Sequence, residues 1–198
     1  MFIIKNTLTY RIKQITPYRD AKIEYQCITI ISKKSETDIL NMYIPPNTTL
    51  EQEEFLHYLN QLQNQFIICG DMNGRHRLWE PSSYRNNNPI GNVLCEILDN
   101  HDNITLATPP DLNTHMDGNT GNSSTIDLCF VSPHLLPQTN VQTLDDMRSD
   151  HLPVQVTLNI EPNRKVRGKR SKWIINDEFW PTWQKKCTEP SHERTRDN

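Results

Sequence analysis

Phe66-Ile67-Ile68-Cys69 is apolar at every position and runs straight into Gly70-Asp71. A strand lying on a surface alternates apolar and polar side chains, so a short unbroken run reads as a strand covered on both faces. Such a strand needs a packed layer above and another below it. In a chain of 198 residues that requirement predicts one α/β or α+β sandwich with a real core. The carboxylate where the run stops is well placed to be functional.

The surrounding pattern agrees. Residues 23–31 and 39–44 are β-branched and aromatic runs between polar clusters and read as strands, the second ended by Pro45-Pro46-Asn47. Leu50, Phe55, Leu56, Leu59 and Leu62 fall near helical spacing, with Thr48 and Thr49 as candidate caps and Glu51, Glu53 and Glu54 near the positive end of the dipole. A second helix is expected over residues 89–98, where Pro89 suits the first turn and Ile90, Val93, Leu94, Ile97 and Leu98 share a face. Further strands are expected at 104–107, 125–131 and 154–160.

Composition adds limits. The formal charge of -3 argues against bulk attraction to nucleic acid, so contact with DNA would need a local basic patch or a bound cation. Five cysteines, an odd number without a CxxC pair, fit a reduced, intracellular protein. Neither a signal peptide nor a membrane span is expected, since only three apolar residues follow Met1 before Lys5. After residue 160 the character changes. Arg164, Lys165, Arg167, Lys169, Arg170 and Lys172 form a basic run, followed by Trp173, Phe179, Trp180 and Trp183. Residues 1–160 are therefore read as the domain and 161–198 as a basic linker with a Trp-rich tail.

Four constellations carry chemistry: Asn41-Met-Tyr43-Ile-Pro45-Pro46-Asn47, Gly70-Asp71-Met-Asn73, Ser124-Thr-Ile-Asp127-Leu and Ser149-Asp150-His151-Leu-Pro153. Asp71 and Asn73 are two apart, which in an extended chain points both side chains the same way, although Asp and Asn here also suit an Asx turn. Asp127 stands among apolar neighbours, where a carboxylate is costly unless paired, and His151 is the natural partner. Such a pair holds the ring in one tautomer and favours its charged form, as a residue facing phosphate requires. Together the set offers what phosphodiester hydrolysis needs: an activated water, neutralised transition-state charge and a cation at the leaving oxygen.

In this order the four motifs closely resemble the endonuclease/exonuclease/phosphatase superfamily, and most of all the apurinic-type endonuclease domain of non-LTR retrotransposons. Gly70-Asp-Met-Asn with Trp79, Ser124-Thr-Ile-Asp-Leu and Ser149-Asp-His-Leu-Pro are the specific parts. The resemblance implies a two-sheet α/β sandwich of the deoxyribonuclease-like type. It implies an enzyme that nicks DNA with Mg2+, or with Mn2+ in its place, in the nucleus when the substrate is chromosomal. It also implies a reverse transcriptase in cis in the parent element.

Carried onto this sequence, the resemblance makes Asp71 the residue that positions or activates water and Asn73 the one that orients the water or the phosphate. His151 contacts the scissile phosphate, Asp127 holds His151, Asp150 binds the divalent ion, and Tyr43 contacts phosphate. His76 and Trp79 shape the loop. The family's leading strand with its asparagine, and the following glutamate that binds metal, have no counterpart among residues 1–25. The domain is accordingly expected to lack its leading strands. Two other readings stay open: a non-catalytic remnant or nucleic-acid-binding fragment, and a phosphatase of the same superfamily.

Overall fold

Among the described residues, ten strands and two α-helices follow one another along the chain. They are β1 (Tyr10–Ile12), β2 (Glu24–Ile31), β3 (Glu36–Tyr43), α1 (Gln52–Leu59), β4 (Gln65–Asp71), α2 (Pro89–Asn100), β5 (Thr105–Leu106), β6 (His115–Met116), β7 (Ser123–Ser124), β8 (Asp127–Val131), β9 (Thr139–Thr143) and β10 (Val154–Leu158), with a 3-10 helix at Pro133–Gln138. This computed structural model describes residues 2–19, 22–80, 86–118, 120–145 and 148–161, all within a compact unit of residues 1–165. The basic run and the tryptophans after residue 163 lie outside the described residues.

Six strands form the main sheet in the order β1-β2-β3-β4-β8-β5, and β9 pairs with β10 and β6 with β7 in two small sheets. Only β3 and β4 are parallel among the paired strands, with α1 between them in the chain, and the other pairs are antiparallel.

The unbroken apolar run has a physical cause. Phe66 and Ile68 enter one core cluster with Leu40, Leu128 and Phe130 from the sheet, Phe55, Tyr58 and Leu59 from α1, and Ile90, Leu94 and Ile97 from α2. Ile67 faces the other way and joins Cys129, Val131, Leu135 and Val141, against which Val154, Val156 and Leu158 pack. Successive side chains of β4 thus enter different layers, helices on one side and the β9–β10 sheet on the other.

Local chemistry moves several boundaries from their expected places. The strand does not stop at Cys69 but continues through Gly70 and Asp71, paired with Leu128 and Asp127. Gly70 makes this possible. Its φ is 144°, and an added Cβ would lie 2.0 Å from the Met42 carbonyl oxygen, so only glycine fits this crossing. β8 begins at Asp127 rather than at Thr125, because the Thr125 and Ile126 N–H groups donate instead to Glu80 Oε2 and Thr114 Oγ1.

Helix α1 is not capped by Thr48 or Thr49. Asn47 is left-handed (φ 63°) and Thr48 N–H donates to the Pro45 carbonyl, so these residues complete a turn. Glu51 occupies the N-cap position without a side-chain bond. In α2, Pro89 follows Asn88, whose side chain accepts from Gly91 N–H at 2.7 Å. Cys27, Cys69, Cys95 and Cys129 are free, and burial pushes the Cys69 thiol up to about 11, far from reactive. No helix among the described residues is long and apolar enough to cross a membrane.

Candidate active site

Register brings the polar residues together. Asn41 of β3 stands beside Cys69 of β4, and Ile44 N–H donates to the Asp71 carbonyl at 3.0 Å, so Tyr43 ends its strand at the edge where β4 ends. On the other side, Asp71 lies directly opposite Asp127. Thr114, fully buried, fixes the start of β8: its hydroxyl oxygen accepts from Ile126 N–H at 3.1 Å and from Asp127 N–H at 3.0 Å. Its carbonyl accepts from Leu152 N–H, which draws the 149–153 segment to the same place.

His151 consequently lies between two carboxylates. Its Nδ1 is 2.9 Å from Asp127 Oδ2, and its Nε2 is 4.0 Å from Asp71 Oδ2. The first distance is a charge-assisted hydrogen bond; the second is too long for one, and an oxygen beside the line between the two groups can lie within hydrogen-bond reach of both. Burial lowers the His151 pKa, but the hydrogen bond that its ring donates to Asp127 and the charges of Asp127, Asp71 and Asp150 outweigh it and raise the value. The Asp71 carboxyl is raised, first by burial and also by Asp127, against the opposing Asn73 N–H and His151. A carboxylate held above its usual range is a stronger base.

Other expected residues are placed differently. Asn73 does not share a pleat with Asp71, because its φ of 48° breaks the extended chain. Its backbone N–H donates to Asp71 Oδ1 at 3.1 Å in an Asx turn, and its side-chain Nδ2 donates to the Ile44 carbonyl at 3.0 Å. Tyr43 is exposed at the rim and makes no hydrogen bond to Asp71, Asp127 or His151. Asp150 is exposed, and its carboxyl is held low, first by the Ser149 hydroxyl. Trp79 is fully buried and donates from Nε1 to the Gly74 carbonyl. The His76 ring lies 5.2 Å from that of Trp79.

Three residues of the site went unrecognised in the sequence. Thr114 and His115 sit in a polar stretch without periodicity, and Glu80 follows a tryptophan in a loop. His115 packs edge-on against His151, ring centroids 4.8 Å apart, and its Nδ1 is 3.2 Å from Ser124 Oγ. Glu80 is buried, its Oε2 accepts from Thr125 N–H at 3.0 Å, and its Oε1 has no hydrogen-bond partner. Among the described residues, the one grouping of three side chains able to hold a metal is His115, Asp150 and His151, with one ligand atom of each within 4.8 Å of the others. Magnesium prefers oxygen donors and commonly takes one or two carboxylates, with water and phosphate for the rest. Of this trio only Asp150 suits it.

A sheet covered by helices on one face and by a second sheet on the other, with acids and a histidine at the carboxyl end of its buried central strand, is the fold class of endonucleases, exonucleases and phosphatases. Solved structures agree on the fold. The endonuclease domain of TRAS1, a telomere-specific non-LTR retrotransposon, superimposes with a TM-score of 0.58 at 16% identity, covering 76% of this chain and 80% of that one. The Xenopus laevis APE2 catalytic domain gives 0.52 at 16% identity, covering 71% and 57%.

The chain belongs to the endonuclease-reverse transcriptase family, whose model matches residues 37–155. Two curated relatives come from Drosophila melanogaster. A probable RNA-directed DNA polymerase from transposon X-element is 28% identical over 157 residues, 79% of this chain and 17% of the relative. The RNA-directed DNA polymerase from mobile element jockey is 27% identical over 170 residues, 85% and 18%. The chain thus spans less than a fifth of the length of these relatives.

Proposed function

We propose that this chain is a DNA-nicking endonuclease domain that hydrolyses a phosphodiester with the help of a divalent ion, and that it works in cis with a reverse transcriptase in a non-LTR retrotransposon. The observation that carries the reading is His151 held by Asp127 at 2.9 Å with its Nε2 4.0 Å from Asp71. A water or a phosphoryl oxygen seated beside this pair can reach both groups.

In this reading Asp71 takes a proton from the attacking water. Asn73 steadies Asp71 through its backbone N–H, rather than touching substrate with its amide. Asp127 keeps the proton on His151 Nδ1 and favours the charged ring, so that Nε2–H donates to a phosphate oxygen as negative charge grows there. Tyr43, exposed at the rim, is positioned to meet the phosphate from the β3 side. Asp150, exposed and ionised, fits the sparse carboxylate binding that Mg2+ or Mn2+ accepts, and the ion supplies charge neutralisation at the phosphate.

Relaxation of supercoiled plasmid in Mg2+ tests the reading. Asp71→Ala and His151→Ala should each lower nicking at least about a hundredfold, while His76→Ala should change it far less. Equal losses in all three folded variants would overturn the roles. Absence of Mg2+-stimulated nicking by the folded wild-type chain would favour the remnant, and turnover of a small phosphomonoester in place of plasmid would favour the phosphatase.

A further inference from the structure

We infer that His115, Asp150 and His151 form a binding site for a borderline transition-metal ion of the Zn2+ class, and that occupation of this site silences the endonuclease. The binding half stands on the geometry of the three side chains. The silencing half rests on the function proposed above.

The donor set is the first observation. Two imidazoles and one carboxylate, each with a ligand atom within 4.8 Å of the others, match the nitrogen and oxygen donors that zinc and its neighbours select, and they match magnesium poorly. Three protein ligands with a fourth position left to water or to a phosphate oxygen is a common zinc arrangement.

The second observation is independent of the first. Metal-binding histidines almost always anchor their other ring nitrogen on a carboxylate, a backbone carbonyl or water, which fixes tautomer and orientation. His151 does so with Nδ1 on Asp127 Oδ2 at 2.9 Å, and the Ser124 hydroxyl occupies the corresponding place beside His115 Nδ1 at 3.2 Å. Nε2 is then the ligating nitrogen of each. The backbone reinforces the pairing, since His115 and His151 form a bridge between their segments and Met116 N–H donates to the Asp150 carbonyl at 2.7 Å.

Ligands at about 2.0–2.1 Å from a tetrahedral ion lie roughly 3.3 Å apart, inside the 4.8 Å limit of this trio, so the trio tightens around a bound ion. The exposed Asp150 side chain can supply most of that by rotation. Occupation converts His151 Nε2 from a hydrogen-bond donor to phosphate into a metal ligand, and it removes Asp150 from the magnesium.

Calorimetric titration of the whole chain with Zn2+, alongside the visible spectrum with Co2+, tests binding without reference to activity. His115→Phe keeps the ring packed on His151 while deleting its nitrogens, and Ser124→Ala removes the hydroxyl beside His115. Loss of an outer-shell partner costs about 10- to 100-fold in metal affinity. Ser124→Ala should weaken Zn2+ by that amount and His115→Phe by at least as much. In plasmid nicking with excess Mg2+, Zn2+ should inhibit the wild type, and the inhibition of His115→Phe, taken relative to its own rate without Zn2+, should be lost or need far more Zn2+.

Equal Zn2+ affinity in the wild type and folded His115→Phe would overturn the site. Binding that depends on His115 but leaves nicking untouched would overturn the silencing alone. If Zn2+ binds through His115 and the wild type nicks no DNA, the metal site stands and the proposed function falls.

Discussion

At the end of the sheet opposite the candidate site, Asp38 is fully buried and accepts three hydrogen bonds: from Lys13 Nζ at 2.7 Å, from Thr29 Oγ1 at 2.7 Å and from Asn64 Nδ2 at 3.2 Å. Asp38→Asn preserves the acceptor facing Thr29 and Asn64 but turns an NH2 group toward the ammonium. Two donors then meet, and Lys13, only 18% exposed, loses its counter-charge. Removing one partner of a buried ion pair costs about 3–5 kcal/mol. The partial exposure of Lys13 places this case near 3 kcal/mol, a loss of roughly 6–12 °C in Tm for a domain of this size. Lys13→Met added to Asp38→Asn should recover most of the loss, because a neutral pair leaves no stranded charge.

The same carboxylate gives a pH signature. Burial alone would raise the Asp38 pKa, but the bonds from Lys13, Thr29 and Asn64 outweigh it and hold the value below the ordinary range. A folded value below the unfolded one, about 3.9, stabilises above about pH 4, and that stabilisation is lost as pH falls through the folded value. Urea unfolding at pH 7 should therefore show the full deficit of Asp38→Asn, and the deficit should shrink in acid. A deficit under about 1 kcal/mol at pH 7, or a double variant no more stable than the single, would refute the assignment of a buried ion pair.

Three further outcomes are expected. Asp127→Asn should lower plasmid nicking about 10- to 150-fold, the equivalent of a charged hydrogen bond of about 1.5–3 kcal/mol, and should add no loss in a His151→Ala background. Gly70→Ala should destabilise by about 3 kcal/mol or more by urea titration, since it combines a strained φ with a Cβ driven into the Met42 carbonyl. Burial raises the Glu80 carboxyl, opposed by Thr125 N–H and Arg75. A raised folded value gives stability that is fully present below the unfolded value, about 4.3, and is lost as pH rises through the folded one. Glu80→Gln, measured by thermal melts, should thus gain on the wild type between pH 4 and pH 8.

What could be read from the sequence was what short-range physics decides. The unbroken run at 66–69 needed cover on two faces and has it, and Pro89 opens α2 because it supplies no N–H to a helix start. An aspartate among apolar residues needed a partner, and a 2.9 Å bond joins Asp127 to His151. What could not be read depends on contacts between distant segments. The short strands β1, β6, β7 and β9 carry no clear alternation and exist because a neighbour offers an edge. Asn73 turned away from the expected direction because Ile44, 29 residues earlier, presents a carbonyl to it. Nothing near His115 announces that it will meet a histidine from the 149–153 segment.

Thr114 acts as a gauge between the two segments that carry Asp127 and His151, touching the first with its hydroxyl and the second with its carbonyl. Beyond this gauge the β6–β7 hairpin reaches a turn held by its own bonds, with Asp117 N–H on the Asn122 carbonyl and Gly121 N–H on the Asp117 carbonyl. An added Cβ on Gly118 would meet nothing within 4 Å, whereas Gly121, at a φ of 71°, holds the turn in the left-handed region. The spacing of the acid and the histidine is therefore set before the chain reaches the tip. Substitutions and insertions at the tip are accordingly expected to leave the separation of Asp127 and His151 unchanged. Tolerance and precision are assigned to opposite ends of a single hairpin.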